Sequence, residues 1–416
     1  MSTQQAASLR LGQVPFRSFS VGPDSAARME VFRLELDALG AEFRAQLGEQ
    51  DARYIKAVLW AVRLTESVGR ALLLVGGAFW PTWCFGAALL GLSKILENME
   101  LGHNVMHGQF NWMNDPRFDG PSYDWDSASS GEEWRHLHNF VHHQHANVLE
   151  LDRDYGYRFL RVSGDLPWEP RHLAQCFTAL ISALLFEWGL AAFGLEMEMK
   201  RQDPVGTRAH IQRLWPGLRA KMLRQLRKDY LWWPLTGAAV GAALSVVFDE
   251  PSVAALGQAA VNAGLAVLVG NLLAGCLRNV WAFAIVLCGH LTDEVHTFTA
   301  ADLVHESKGQ WYLRQILGSS NLRGGRVLHL LCGNLSHQIE HHLYPDLPAN
   351  RYVDIAPRVR DICTRHGVPY NTGSLGRKLS QLVWRAVRHS VPGGQTTLSR
   401  RSPVEPLDAM LMENPR

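Results

Sequence analysis

Residues 136–145 read HLHNFVHHQH, with histidine at His136, His138, His142, His143 and His145. Imidazole is the commonest metal-ligating side chain, and it binds as the neutral base. On a helix, His138 and His142 lie one turn apart on one face, with His143 beside them. Two other stretches repeat the spacing. Upstream, HNVMH supplies His103 and His107, and downstream, HQIEHH supplies His337, His341 and His342. One such cluster alone reads most simply as a few solvated or core histidines. Three clusters, each holding an i,i+4 pair, point instead to a shared metal centre.

The chain around them has 416 residues and a net charge of +2, so its charge gives no ground for nucleic-acid binding. The six cysteines form no C-x-x-C pair, which leaves disulfide scaffolds, zinc ribbons and iron–sulfur clusters unsupported. The opening residues, MSTQQAASLRLGQVPF, lack the apolar core of a secretory signal. From Ala27 to Ala52, Phe32, Leu36, Leu39, Phe43 and Leu47 recur at helical spacing, which fits either a membrane-surface helix or a packing helix.

Charge is unevenly spread, and the uncharged runs predict the spans. Between Arg70 and Lys94 there is none, and Pro81 interrupts the run. This predicts a helical hairpin turning at Trp80-Pro81, because proline is well suited to begin a helix. The second helix then runs past the bilayer and carries His103 and His107. Gly108 to Ser130 reads as an ordered loop. Cys176 to Ala192 is apolar but holds Glu187, and a charge at mid-bilayer is costly. That predicts a half-buried or interfacial helix that does not cross. Lys200 to Lys228 is basic, which fits a solvated face and also marks the cytoplasmic side. Spans are expected at 231–248 and 262–288, with His290 emerging just after the second. Leu313 to Gly333 reads as mixed and helical, the prolines of LYPDLP end the third histidine helix, and Tyr352 to Arg388 reads as soluble helices. The tail from Val391 has a disordered composition.

Parity tests this layout. The clusters can share one site only if an even number of crossings separates neighbours, and the two later spans satisfy this. The expected fold is an all-α integral membrane protein with four transmembrane helices in two hairpins. A cytoplasmic helical cap holds the di-metal site. The expected divisions are 1–55, a polar segment with the amphipathic helix; 56–360, the membrane unit; and 361–416, a helical segment and tail.

The clusters offer about eight or nine imidazoles, more than one tetrahedral zinc takes, so two metals fit better. Imidazole suits iron, zinc and copper alike. A site at the bilayer surface suits a lipid-like substrate, and zinc has no redox chemistry to attack its C–H bonds. Taken together, HNVMHGQ, HNFVHH and HQIEHHLYPDLP resemble the membrane fatty acid desaturase family, over about residues 55 to 360. The resemblance is to its bacterial branch, acyl-CoA or acyl-lipid, including the mycobacterial type. It implies a non-haem di-iron centre, O2 as co-substrate, and insertion of a double bond into a long acyl chain. By motif, the implied metal ligands are His103, His107, His138, His142, His143, His341 and His342. His290 matches a further ligand after the last span. His337 is a ligand or a neighbour, because relatives often begin the third motif at the position of Gln338. Asn334 is placed to hold a metal-bound water. Asp152, Asp154, Asp293 and Glu340 are candidates to orient imidazoles, or ordinary surface acids. His136 and His145 read as outer or surface histidines.

Neither a dinucleotide-binding G-x-G-x-x-G nor a ferredoxin cysteine set occurs, so electrons are expected from a separate donor, a ferredoxin or cytochrome b5 with its reductase. The basic Lys200–Lys228 stretch is a candidate dock for an acidic carrier, with lipid headgroups competing for it. The expected location is an integral membrane protein of the bacterial inner membrane, with active site and both termini cytoplasmic. A hydroxylase, ketolase or acetylenase begins with the same hydrogen removal. A metal transporter would place histidines inside its spans rather than beyond them.

Overall fold

The computed structural model describes residues 25–197, 203–248 and 252–393. The expectations for the first residues and for most of the tail lie outside that range. Helix α1, Ser25–Ala45, presents Met29, Phe32, Leu36, Leu39 and Phe43 at helical spacing. All five are buried against the later cap helices, so α1 is a packing helix. Burial of such side chains stabilises by about 1.5–3 kcal/mol each.

Helix α2, Glu49–Val75, and helix α3, Trp80–Ile95, form the first hairpin, with Pro81 in the first turn of α3 as expected. The two rods approach closely at paired glycines. A Cβ on Gly69 would lie 2.8 Å from the Leu90 nitrogen, and one on Gly86 would lie 2.9 Å from Leu72 Cβ. Beyond α3 the chain stays helical through a π segment, Leu96–Gly102, into His103–Met106. One rod therefore links the base of the molecule to the first histidine pair. The loop after it is ordered, with Phe110, Phe118 and Trp125 buried. The central histidines ride on a second π segment, Arg135–His142, followed by His143–His145. Single π turns inside helices often mark functional sites.

Residues 170–193 form a bent pair. Helices α4, Gln175–Leu184, and α5, Phe186–Phe193, meet at an angle of 97° at Leu185. Helix α6, Pro204–Arg227, continues through a π turn into α7, Trp233–Phe248. The basic stretch is thus a helix continuous with the apolar one. Pro216 removes only one backbone donor from it. Some of its cations are already paired. Lys221 and Arg224 contact Asp124, and Lys228 contacts Asp126.

Helix α8 runs unbroken over Val253–His290. Arg278 is tolerated inside it because Glu187 and Asn98 both bond its guanidinium. Among the described residues, Pro204–Phe248 and Val253–His290 are long and apolar enough to cross a membrane, and the bent pair is either a broken span or a re-entrant loop. The α2–α3 hairpin packs its turn on α8 at Ala266, where Trp83 Nε1 donates to the carbonyl at 2.8 Å.

Helix α9, Lys308–Leu317, is capped by Ser307. The mixed stretch expected to be helical to Gly333 is broken here. Residues 318–320, Gly-Ser-Ser, release the chain into strand β1, Asn321–Arg323. Strand β1 pairs in parallel with β2, Thr372–Ser374. Helix α10, Gln338–Leu343, carries the third histidine group and ends before Pro345. Helices α11, Tyr352–Arg365, and α12, Leu375–Arg388, complete the cap.

Candidate metal centre

The three histidine stretches converge in the cap. His103, His107, His138 and His341 form one group, and His142, His290 and His342 form a second. The ligand atoms within each group lie within 4.8 Å of one another. His143 stands between them. Its ring is stacked on His342 at 4.4 Å and sits 4.7 Å from both His107 and His341.

The outer nitrogens are held by fixed acceptors. His290 Nδ1 is 3.0 Å from the Gly318 carbonyl, and His342 Nδ1 is 2.9 Å from Gln315 Oε1. Gln315 Nε2 donates to the His143 carbonyl, which fixes the amide's orientation. Both imidazoles therefore carry hydrogen on Nδ1, leaving Nε2 unprotonated, that of His290 also lying 2.9 Å from Gln338 Nε2. The two imidazole Nε2 atoms face each other at 3.0 Å. The other group repeats the arrangement. His103 Nδ1 meets Asn104 Oδ1 at 3.1 Å, His138 Nδ1 meets Asp154 Oδ2 at 3.4 Å, and their Nε2 atoms are 3.3 Å apart. Facing lone pairs repel unless a cation lies between them. Nε2 of His107, His143 and His341, also buried, has no hydrogen-bond partner. This donor set fits two metal ions.

Electrostatics agree for the grouped rings other than His142. Burial and neighbouring rings hold His138, His143, His341 and His342 well below the ordinary imidazole range, keeping them neutral and ready to ligate. Burial opposes charge on His142 too, but Asp152 and Asp154 raise it to about 9. Asp152 sits 3.0 Å from His142 Nδ1 and accepts from the Asn147 amide at 2.8 Å. Burial lifts Asp154 to about 6 despite His142.

The structure separates other sequence candidates from the rings. His337 is buried against His329, with ring centres 4.7 Å apart, and belongs to neither group. Asn334 bonds Glu100 at 2.9 Å and the Tyr54 hydroxyl at 3.3 Å. Glu340 accepts from Asn321 and Tyr370. Asp293 lies in the turn after α8, and no imidazole bonds it among the described residues. Gln338, by contrast, places Nε2 2.9 Å from His290 Nε2. His136 is exposed, stacked on Phe140, and His145 bonds the Val141 carbonyl. Gln315, Asn104 and the Gly318 carbonyl were not legible in the sequence, because their types and spacing form no motif.

A cavity of about 670 Å³ opens beside the rings. His103, His138, His142 and His290 line one part, and apolar side chains including Trp134, Leu190, Phe193, Leu218 and Leu287 line much of the rest. A helical cap presenting two imidazole cages to a largely apolar chamber is the arrangement of a membrane-associated enzyme able to bind metal beside an apolar substrate.

The chain matches the family described as Fatty acid desaturase over residues 78–374, and it belongs to that family. It is 43% identical over 349 residues to the NADPH-dependent stearoyl-CoA 9-desaturase of Mycobacterium tuberculosis, covering 84% of this chain and 77% of the relative. It is 22% identical over 347 residues to the sn-1 linoleoyl-lipid 6-desaturase of Synechocystis, covering 82% and 89%. A shorter match reaches human Fatty acid desaturase 3, 30% identical over 94 residues, covering 23% and 19%. The chain is therefore an oxidoreductase with an acyl substrate.

Proposed function

We propose that this chain inserts a double bond into a long saturated acyl chain presented as its CoA thioester, at two iron ions held by the imidazole cages. The observation that carries the reading is the apolar chamber that ends on His138, His142 and His290. The thioester and a position near the ninth carbon are taken from the mycobacterial relative's name. His103, His107, His138 and His341 would hold one ion and His142, His290 and His342 the other, with His143 between them. A pair of iron ions supplies reductive activation of O2 against an unactivated C–H bond.

The protein's own groups do the rest. Asp152, Asp154, Gln315 and the Gly318 carbonyl fix tautomer and ring angle, so that each Nε2 faces inward. The aromatic and leucine walls hold a methylene segment against the rings and exclude bulk water. O2 leaves as water, taking two hydrogens from the acyl chain, with two electrons and two protons supplied from outside. A separate ferredoxin or cytochrome b5 with its reductase is the proposed electron source. Four crossings are proposed, with α2 and α3 as the first hairpin and α6–α7 and α8 as the second. The cap and both termini are cytoplasmic in a bacterial inner membrane. The exposed Arg208, Arg219 and Arg227 on α6 favour that orientation. The division at 56–360 is kept for the catalytic unit, although α1 and α12 pack into it.

Expression in a desaturase-deficient host, followed by acyl-chain analysis and metal assay, tests the reading. A new monounsaturated chain with about two iron ions per protein is expected. A hydroxylated product, or zinc in place of iron, would overturn it.

A further inference from the structure

We infer that α4 and the second half of α12 form a face of the cap immersed in the lipid leaflet on the histidine side of the membrane. The inference rests on reading α6–α7 and α8 as spans, and adds to it by assigning part of the cap to lipid.

Between Arg171 and Glu187 the chain carries no Lys, Arg, Asp or Glu. Leu173, Phe177, Leu180, Ile181 and Leu185 are all exposed, and so is Cys176. Water would meet an apolar face there, interrupted only by Thr178, whose hydroxyl bonds the Gln175 carbonyl, and larger than isolated surface leucines account for. Helix α12 changes character along its length. Its exposed residues are Gly376, Arg377 and Ser380 in the first half, then Val383, Trp384, Val387 and, at the last position, Arg388, with Val391 beyond its end. Such a gradient, with tryptophan near the changeover, suits a helix descending from the aqueous phase into the headgroup region. Arg388 has the length to reach back to headgroup phosphates.

The two helices form one rigid platform. Gln175 Nε2 donates to the Ala386 carbonyl at 2.5 Å, and Trp168 Nε1 donates to that of Ser390 at 2.9 Å. The Arg161 guanidinium donates to the His389 and Val391 carbonyls. The platform is also continuous with the lipid-facing side of α8. Asn279 Nδ2 donates to the Leu184 carbonyl at 2.7 Å, and Leu273, Leu277 and Val280 of α8 are exposed. That continuity, with the absence of charge on α4, favours the bilayer over a docked carrier protein. The other side of the bent pair, through Phe186, Leu190 and Phe193, lines the chamber. The pair is then a partition, with lipid on one side and substrate on the other.

Nitroxide accessibility in the full chain decides the matter. One label at a time is placed on native Cys176, or on Val387→Cys, Ser380→Cys or Leu265→Cys with Cys176 replaced by alanine. Cys84→Ala and Cys276→Ala remove the other accessible thiols, and the protein is reconstituted in nanodiscs of phosphatidylethanolamine and phosphatidylglycerol. Collisions with O2 are expected to exceed those with a water-soluble nickel chelate several-fold at positions 176 and 387, with the reverse at 380. Nickel access at 176 and 387 would mean that the face is aqueous and would overturn the inference. Exclusion of both reagents, or label–label broadening, would mean that a protein surface covers it and would overturn it equally. Position 265 on α8 separates the two readings, because nickel access there would sink the span itself.

Discussion

His290 and His337 compete for the same role on sequence grounds, and their surroundings separate them. His290 closes α8 with Nε2 aimed at His342 and Gln338, while its Nδ1 is tied to Gly318. His337 faces His329 and stands outside both imidazole groups. His290→Ala is expected to lower iron per chain and abolish most desaturation, whereas His337→Ala keeps its iron. Metal analysis of the two purified variants checks this. Full iron in His290→Ala with loss in His337→Ala would reverse the assignment. Asp152 acts through His142. Asp152→Asn keeps an acceptor near Nδ1 but removes the negative charge that offsets a bound cation. Metal affinity and turnover should fall about 10–100-fold, as for other partners of ligating histidines. Asp154, at 3.4 Å from His138, should matter less when changed to asparagine. Equal iron titrations for wild type and Asp152→Asn would refute the role.

The first and third histidine elements meet at a backbone contact as well as through side chains. Gly333 has φ +66, and a Cβ there would lie 2.1 Å from the Met99 carbonyl oxygen in the π segment that leads to His103. Gly333→Ala must push the π segment away from the turn carrying His337 and Gln338, and left-handed backbone adds roughly 1–3 kcal/mol of strain for a non-glycine residue. Gly325, with φ −95 and nothing within 4 Å of a Cβ, is the control. Thermal unfolding in detergent should show Gly333→Ala clearly destabilised and Gly325→Ala near wild type. Coincident curves would remove the argument. This contact was invisible in the sequence, as was the strand pair. Residues 321–323 and 372–374, Asn-Leu-Arg and Thr-Gly-Ser, are too short for alternation to register, and their partners are distant along the chain. The bend at Leu185 lies in an apolar run with no glycine or proline to announce it. The Trp80-Pro81 turn and the histidine spacing were legible because each depends on local chemistry, a missing donor in one case and helical periodicity in the other. The ring-orienting Gln315 was not, because only the folded cap brings α9 beside α10.

At the scale of the molecule, the histidine groups impose a condition on topology. His138 lies before the bent pair and His341 after α8, yet their ligand atoms belong to one cage. The chain between them must cross the bilayer an even number of times. With α6–α7 and α8 as the two proposed crossings, a shared cage requires the bent pair to re-enter on the side from which it came. The 97° turn permits this, and Glu187 at the bend is neutralised by Arg278 rather than exposed to lipid. Exposed positions report the outcome. Cysteines introduced at Glu150 and Val353 lie on the cap, whereas Val253, 90% exposed, starts α8 at the opposite end. In intact cells, a membrane-impermeant maleimide should label Val253→Cys and spare Glu150→Cys and Val353→Cys until the membrane is opened, with Cys84 and Cys176 replaced beforehand. The cationic face of α6 sets the expected sign, since arginines beside a span favour the cytoplasm. Labelling of both cap positions from outside would invert the orientation and leave the shared cage intact. Labelling of one without the other would make the crossing number odd. No single cage could then hold His138 and His341, and the two-ion centre would have to be abandoned.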